Sequence, residues 1–138
     1  VPLEVCPTSN LRTGVVDSWA SHPVVELIER GGEIRPRIEI VPAAGHTVGH
    51  VAVAFHSGDE QLLCLGDAAI HPIHTVHPAW HTDFDAVPEQ AVASRSRLLE
   101  RAVADGATLF SPHFPFPGVG PVARIAGGWL WEPMTVAE

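Results

Sequence analysis

The pattern of hydrophobic and polar positions changes period several times along the chain, and each change predicts a different element. Between residues 37 and 66, three short runs are either apolar or alternate with period two, which is typical of strands. The predicted strands are Arg37–Val41, His50–His56 and Gln61–Gly66, and the turn SGDE joins the last two as a hairpin. The second and third strands are apolar enough to be covered on both faces.

Two helices are predicted from apolar spacing and from their end signals. The stronger one follows the loop DAAIHPIHTVHPAWHTDFDAVP and runs from Pro88 to about Asp105, where Gly106 ends it. The shorter one has Ser21 as N-cap, continues through VVELIER and stops at a Gly-Gly pair. The apolar stripe of the stronger helix consists of Ala91, Val92, Arg95, Leu98, Leu99, Ala102 and Val103.

The last third of the chain predicts a strand, a loop and a hairpin. ATLFS is typical of a short buried strand, PHFPFPGVG of a loop, and VARIAGGWLWEP of a hairpin across Gly127-Gly128 that places Trp129 and Trp131 in the core. This order indicates an α/β fold with a mixed sheet and helices on one face, in a single domain over residues 1–138. Little of the chain remains to cover the other face, so half of a sandwich is expected to be missing.

Composition narrows the classes of function. The formal net charge of −8 argues against nucleic acid and anionic membranes as partners. No apolar stretch approaches the roughly 20 residues of a membrane span, and the N-terminus has no signal-peptide core, so a cytoplasmic protein is expected. Cys6 and Cys64 do not form a disulfide framework, and Cys64 in QLLCLGD is expected to be a buried, reduced thiol.

Nine histidines in 138 residues are the feature of the composition that most needs an explanation. His50 follows GHTVG at a strand entrance, while Asp67 and His113 follow LLCLG and TLFSP at strand exits. Loops at one edge of a sheet converge, and imidazole with carboxylate binds borderline cations such as Zn²⁺. Singly, each residue has a structural explanation as a turn cap, a helix N-cap or a loop histidine. Together, with a glycine before His50 and before Asp67 to leave a metal room, they predict a metal site.

Three ordered motifs, GHTVGH, LLCLGDAAIH and LFSPHFPFPG, resemble the second half of the metallo-β-lactamase-fold hydrolases. The loop HPIHTVHPAW and the segment HFPFPG are similar to the branch that holds methyl parathion hydrolase and the quorum-quenching lactonases. The resemblance covers roughly residues 33–133. It implies half of an αββα sandwich, and a metal-dependent hydrolase that cleaves ester, lactone or phosphotriester bonds with a metal-bound hydroxide.

The resemblance also implies roles for individual residues. His50 would bind one metal, Asp67 would bridge both metals as the central catalytic residue, and His113 would bind the second. The cofactor would be two Zn²⁺ per complete site, with Mn, Fe or Co as alternatives. His46 and Thr47 would brace the turn. The candidates for lining a pocket for a small-molecule substrate are His71, His74, Trp80, Phe84, Phe114 and Phe116.

The first metal motif of the family, HxHxDH, is absent, because His22 is the only histidine before His46. The chain is therefore expected to supply half of a binuclear site, and to need a missing N-terminal half or to dimerise. Two alternatives remain open at this point. One is a non-catalytic binding or assembly module, or a truncated fragment, without a complete metal centre. The other is an iron-dependent oxidoreductase on the same scaffold.

Overall fold

The computed structural model describes residues 18, 25, 29–35 and 37–135. The helix predicted from Ser21 lies largely outside these residues, although Val25, Glu29 and Arg30, which are described, are helical. The first element that is described over its whole length is a strand that begins at Gly32.

Six strands form one mixed sheet in the order of the chain, β1 to β6. Strands β4 and β5 pair in parallel, and every other neighbouring pair is antiparallel. Two helices of the described residues lie between β4 and β5, where a parallel connection requires a crossover. The strands are β1 (Gly32–Arg35), β2 (Ile38–Pro42), β3 (Val51–Ser57), β4 (Glu60–Cys64), β5 (Thr108–Phe110) and β6 (Val119–Gly120).

Most predicted strands are confirmed with shifts of one or two residues at their ends. Strands β2, β3, β4 and β5 lie where the alternating and apolar runs predict them. Strands β1 and β6 were not predicted. The Gly-Gly pair at residues 31–32 predicts a helix stop and gives no strand signal, and a two-residue strand such as β6 is too short for periodicity to detect.

Two helices follow β4: α1 (Ile73–Val76), a single turn inside the predicted long loop, and α2 (Pro88–Asp105). Helix α2 has its predicted bounds, with proline in its first turn and Gly106 as a left-handed cap at φ 63°. Most of its predicted stripe is buried, including Arg95, whereas Val92 and Val103 are only partly buried. The helix therefore presents the expected face to the core.

The sheet buries one face and leaves the other partly exposed. Ala54, Leu63 and Leu109 lie side by side on β3, β4 and β5, and each is 0% exposed within the core cluster that also includes the α2 leucines. The next row, Phe55–Leu62–Thr108, points to the opposite side, and Phe55 is 41% exposed. We call this side the outer face. The side chains of the outer face are therefore less covered than those of the core face.

A separate hairpin closes the described part of the chain. It consists of β7 (Val122–Ile125) and β8 (Gly128–Trp131), which pair antiparallel, so the turn lies at Ala126-Gly127, one residue before the predicted glycine pair. Trp129 and Trp131 are 6% and 7% exposed and belong to the core, as predicted.

Two sequence predictions can be checked directly against the described residues. No helix among them has the length and apolar character that crossing a membrane requires. Cys64 is a free cysteine, but it is half-buried and not fully buried as predicted, because β4 turns its side chain towards the outer face. Its partial burial raises the pKa of the thiol, which keeps the sulfur in its protonated form.

Candidate metal centre

Three loops meet at one edge of the sheet, because the parallel strands β4 and β5 both end there and the turn from β2 to β3 lies beside them. His113 after β5 places its Nε2 atom 2.7 Å from Oδ1 of Asp67, which follows β4. His46, in the turn between β2 and β3, has its Nε2 atom 3.7 Å from Oδ2 of the same aspartate. One carboxylate thus lies between two imidazoles.

The turn Ala43–His50, which we call the histidine turn, is seated on the beginning of helix α2. Gly45 has φ 140°, and a Cβ atom at this position would lie 2.1 Å from the backbone nitrogen of Ala91. Ser94 of the helix donates its hydroxyl to the carbonyl of Ala44 at 2.7 Å. The small residues of this turn are therefore required by its close approach to the helix, which fixes where the two histidines lie.

His50 uses both ring nitrogens on backbone groups. Its Nδ1 atom lies 3.2 Å from the carbonyl of Ala43, and its Nε2 atom accepts a hydrogen bond from the backbone N–H of Asp67 at 3.0 Å. A Cβ atom on Gly66 would lie 2.9 Å from this Nε2 atom, so that glycine leaves room for the His50 ring rather than for a metal. Burial lowers the pKa of His50 and favours the neutral imidazole that these two bonds require.

His46, and not His50, turns a ring nitrogen towards the carboxylate of Asp67. Its Nε2 atom faces Asp67, and its Nδ1 atom lies 3.1 Å from Oδ1 of Asp85. The structure therefore favours the reverse of the predicted roles, with His46 facing the site and His50 bracing the histidine turn. Sequence reasoning could not separate the two, because the spacing GHTVGH is the same whichever ring faces the site.

Asp67 and His113 are accessible from solvent at the edge of the sheet. Their side chains are 42% and 44% exposed, so water or a substrate can reach the atoms between them. The His113 loop is tied down by Ser111, whose hydroxyl donates to the carbonyl of Ala69 at 2.9 Å and accepts a hydrogen bond from the backbone N–H of His113 at 3.3 Å. The loops that carry Asp67 and His113 are thereby linked to each other.

Arg95 of helix α2 anchors the loop that begins with Asp67. Its guanidinium is 1% exposed, and Nε donates to the carbonyl of Ala68 at 2.7 Å. Its Nη1 atom donates to the carbonyl of Pro78 at 2.9 Å and also to that of Trp80. The buried cation therefore holds three points of one loop, including the residue next to Asp67.

Asp85 is a residue of this centre that the sequence analysis missed. Burial by itself raises the pKa of its carboxyl, but hydrogen bonds from Thr82 and His46 and the positive charge of Arg95 outweigh this and lower the pKa below its ordinary value. No sequence signal could have identified it, because Asp85 lies 39 residues after His46 in a long loop. Only the folded chain brings the two together.

The remaining predicted pocket residues divide between the core and the surface. Phe114 is 6% exposed and packs edge to face on Trp131 at 4.9 Å, so it is a core residue and the pocket assignment is wrong for it. Phe84 and Phe116 are 77% and 87% exposed, each within three residues of a residue of the centre. Trp80 is 56% exposed and stacks on the ring of His77 at 4.5 Å. The two phenylalanines remain candidates for contact with a substrate.

The smaller polar candidates have structural contacts. Thr47 supplies its backbone carbonyl, which accepts from the N–H groups of Gly45 and His50 at 3.0 and 3.3 Å, so it does brace the turn, through the backbone. His71 is exposed, and its Nδ1 atom accepts from the N–H of Ile73 at 3.0 Å. His74 is 5% exposed, and its Nδ1 atom has no hydrogen-bond partner among the residues that the structure describes. His74 is therefore buried in the fold, away from a position that could line an open pocket.

The buried His74 predicts that acid destabilises the fold. Burial, followed by the nearby charge of Arg95, lowers the pKa of His74 from 6.5 to about 4, while Asp85 opposes this shift and His71 adds slightly to it. Because the unfolded chain takes up this proton near 6.5, the stability is complete above that pH. It is lost as the pH falls towards 4.

We expect urea unfolding to give a free energy that falls by about 1–3 kcal/mol between about pH 7.5 and about pH 4.5 through this group. The variant His74→Leu should show a correspondingly smaller loss, while His81→Gln, at an exposed histidine in the same loop region, should behave like the wild type. Equal losses in wild type and His74→Leu would show that other groups cause the acid sensitivity.

The donor set suits a divalent metal but is incomplete. Within the part of the chain that the structure describes, no group of three or more His, Cys, Asp or Glu side chains could hold a metal ion as it stands. His46, Asp67 and His113 nevertheless offer two imidazole nitrogens and a carboxylate around one point, which are ligand types that Zn²⁺ uses. These three side chains are of the types that bind Zn²⁺, but the described residues do not by themselves form a complete site.

Comparison with solved structures identifies the fold. Over 77% of its length the chain matches AidC, a dizinc quorum-quenching lactonase solved with its product, at 29% identity and a TM-score of 0.72. It also matches AbOPH, a hydrolase of the β-lactamase superfamily, at 26% identity and a TM-score of 0.71 over 78% of the chain. The chain has the C-terminal half of the metallo-β-lactamase fold. This half-fold covers 36% and 38% of those two proteins. A probable metal-dependent hydrolase from Staphylococcus aureus shares the fold at 18% identity and a TM-score of 0.63, over 77% of this chain and 39% of its own.

Comparison by sequence finds a different group of proteins over shorter segments. No protein-family model matches the chain. A segment of 69 residues, half of the chain, is 38% identical to adenine deaminases of Bordetella parapertussis and Bordetella bronchiseptica. A segment of 24 residues, 17% of the chain, is 62% identical to adenosine deaminase 1 of Streptomyces coelicolor, of which it covers 6%. The chain spans about a fifth of the length of the Bordetella deaminases, 21%.

Proposed function

We propose that this half-fold belongs to a metal-dependent hydrolase of ester, lactone or phosphotriester bonds and supplies one half of its binuclear metal centre. The observation that carries the proposal is the placement of Asp67 between His46 and His113 at the edge of a sheet. Two structural neighbours that share this fold, the lactonase AidC and the hydrolase AbOPH, support it. Zn²⁺ is the proposed metal, because AidC is a dizinc lactonase and the donors are imidazole and carboxylate.

The residues of the chain would divide the work as follows. His46 and His113 would each hold one metal through Nε2, and Asp67, whose two oxygens face different histidines, would hold both. His50 would keep the histidine turn attached to the backbone of Asp67. Bound divalent metals would supply Lewis acidity, which polarises the substrate and lowers the pKa of water. Phe84 and Phe116 would offer an apolar surface to the substrate beside these polar atoms.

The missing ligands imply a partner for the outer face of the sheet. We propose that this face packs on an N-terminal half of the same fold, which carries the remaining ligands. The proposal is supported by the half-buried apolar rows of β3 and β4 and by the short coverage of the neighbours, 36% and 38%. Sedimentation should then show a chain that associates when alone. A monomer with a closed core would contradict this proposal. A defined dimer would show that the outer face packs on a second copy of the chain and not on an N-terminal half.

The assignment of the metal ligands is tested by a matched pair of variants in the histidine turn. We expect His46→Ala to lower the affinity of the chain for Zn²⁺ by at least about tenfold. It should also lower the unfolding temperature of the metal-free chain, because it leaves a buried oxygen of Asp85 without its partner. His50→Ala should lower the unfolding temperature, because it removes two hydrogen bonds to backbone groups, but should keep the Zn²⁺ affinity of the folded chain. Isothermal titration with Zn²⁺ and thermal unfolding of the metal-free variants measure the two effects separately.

The results for these two variants distinguish the two ligand assignments, and the wild-type result distinguishes a hydrolase from the alternative functions. Loss of Zn²⁺ binding in His50→Ala alone would restore the assignment made from the sequence. Absence of Zn²⁺ binding in the wild type would favour a non-catalytic module, and preference for iron with redox activity would favour an oxidoreductase. The similarity to deaminases covers too little of those proteins to carry their activity, and release of ammonia from adenine or adenosine would be needed to support it.

A further inference from the structure

The side chain of Asp85 is buried, and both of its carboxylate oxygens have a partner. Its side chain is 3% exposed, Oδ1 lies 3.1 Å from Nδ1 of His46, and Oδ2 accepts the backbone N–H of Thr82 at 3.0 Å. The backbone N–H of Ala86 donates to the carbonyl of His46 at 3.1 Å. The backbone N–H of Val87 donates to the carbonyl of Gly45 at 2.9 Å. Backbone hydrogen bonds therefore hold the segment after Asp85 directly against the histidine turn.

We propose that Asp85 is a positioning residue that keeps the proton of His46 on Nδ1 and turns the lone pair of Nε2 towards Asp67. This inference rests on the proposed function, in which Nε2 of His46 is a metal ligand. A ring nitrogen binds a metal through its lone pair, so the other nitrogen must carry the proton, and an acceptor at that nitrogen fixes this tautomer. Asp85 is the acceptor at Nδ1 of His46. On the opposite side of the ring, Nε2 lies 3.7 Å from the carboxylate of Asp67.

A carboxylate is needed at this position, because two donors point at it. Oδ2 of Asp85 accepts the backbone N–H of Thr82, and Oδ1 of the ionised carboxylate, which faces Nδ1 of His46, can only accept a hydrogen bond. An asparagine would have a single acceptor oxygen, and the backbone N–H of Thr82 cannot change from donor to acceptor. The amide nitrogen of the asparagine would therefore face Nδ1 of His46, and the histidine would move its proton to Nε2, the atom that faces Asp67.

The buried charge of Asp85 is compensated within the described structure. The guanidinium of Arg95 is fully buried and lies close enough to attract the carboxylate, and the three carbonyls bound by Arg95 hold the loop that carries Asp85. Arg95 therefore makes it possible to bury a carboxylate without a direct salt bridge, and the two oxygens of Asp85 stay available for Thr82 and His46.

The test compares Asp85→Asn with Asp83→Asn, an exposed aspartate two residues earlier in the same loop. Long-range ¹H–¹⁵N NMR of the metal-free chain, at a pH where the ring is neutral, identifies which nitrogen of His46 carries the proton, with His46→Gln used to assign the signal. We expect Nδ1–H in the wild type and in Asp83→Asn, and Nε2–H in Asp85→Asn. Zn²⁺ titration should show a loss of affinity of about 10–100-fold in Asp85→Asn only.

An Nε2–H tautomer in the wild type would overturn the inference, whether or not any variant folds. The same tautomer in wild type and Asp85→Asn, or a changed tautomer with unchanged Zn²⁺ affinity, would also overturn it. If the wild type binds no Zn²⁺, the proposed function fails, while the NMR comparison still decides whether Asp85 sets the tautomer. A merely structural role would lower the unfolding temperature of metal-free Asp85→Asn and leave both other readouts at their wild-type values.

Discussion

Replacing Asp67 by asparagine is expected to remove most of the Zn²⁺ affinity of the chain, by at least about 100-fold, while the fold stays intact. Asp67 is the carboxylate whose oxygens face both His46 and His113, at 3.7 and 2.7 Å. An amide at this position keeps the shape of the side chain but loses the negative charge and one acceptor oxygen. The site then has no anionic ligand to attract a divalent cation.

Stability should change little in the same variant, because Asp67 is 42% exposed and its ion pair with His113 is accessible to solvent. An exposed pair of this kind contributes about 0–1 kcal/mol to the free energy of unfolding. The measurements are Zn²⁺ titration and urea unfolding of the metal-free chain, with Asp59→Asn in the exposed hairpin turn as the control. Wild-type Zn²⁺ affinity in Asp67→Asn would contradict the proposed centre, whatever the stability of the variant.

Replacing Arg95 by methionine is expected to lower the free energy of unfolding by about 3–5 kcal/mol. The variant fills a similar volume but leaves the carbonyls of Ala68, Pro78 and Trp80 without their donor, in a part of the fold where Arg95 is 1% exposed. It also leaves the carboxylate of Asp85 buried without the nearby positive charge. Unpaired buried carbonyls and an uncompensated buried charge are among the few causes of losses this large.

The matched control is Arg97→Met, two residues further along the same helix. Arg97 is exposed and donates to the carbonyl of Pro42 at 2.7 Å, so its replacement should cost about 1 kcal/mol or less. Urea unfolding of the metal-free chains measures both values on the same scale. Comparable losses in the two variants would show that the three carbonyls of the loop do not depend on Arg95.

The sequence predicted the strands and the long helix well, because their signals are local. Alternation marks β2, helical spacing marks α2, and Gly106 marks the end of that helix through its left-handed backbone. The same local signals failed for β1 and β6, which are short and depend on pairing with their neighbours. They also failed for Phe114, which lies in a loop as predicted but packs its ring on Trp131 in the core instead of lining a pocket.

The sequence alone predicted that His50, Asp67 and His113 lie at strand ends, with His46 in the turn before His50, because each follows a recognisable strand or turn and such ends converge at one edge of a sheet. Only the tertiary structure decided which histidine of the turn faces Asp67. That choice depends on where each ring finds its partners: His50 binds the backbone of Ala43 and Asp67, and His46 binds Asp85 from 39 residues away. Hydrogen bonds between distant segments have no period in the sequence, so the roles of the two rings became visible only once the chain was folded.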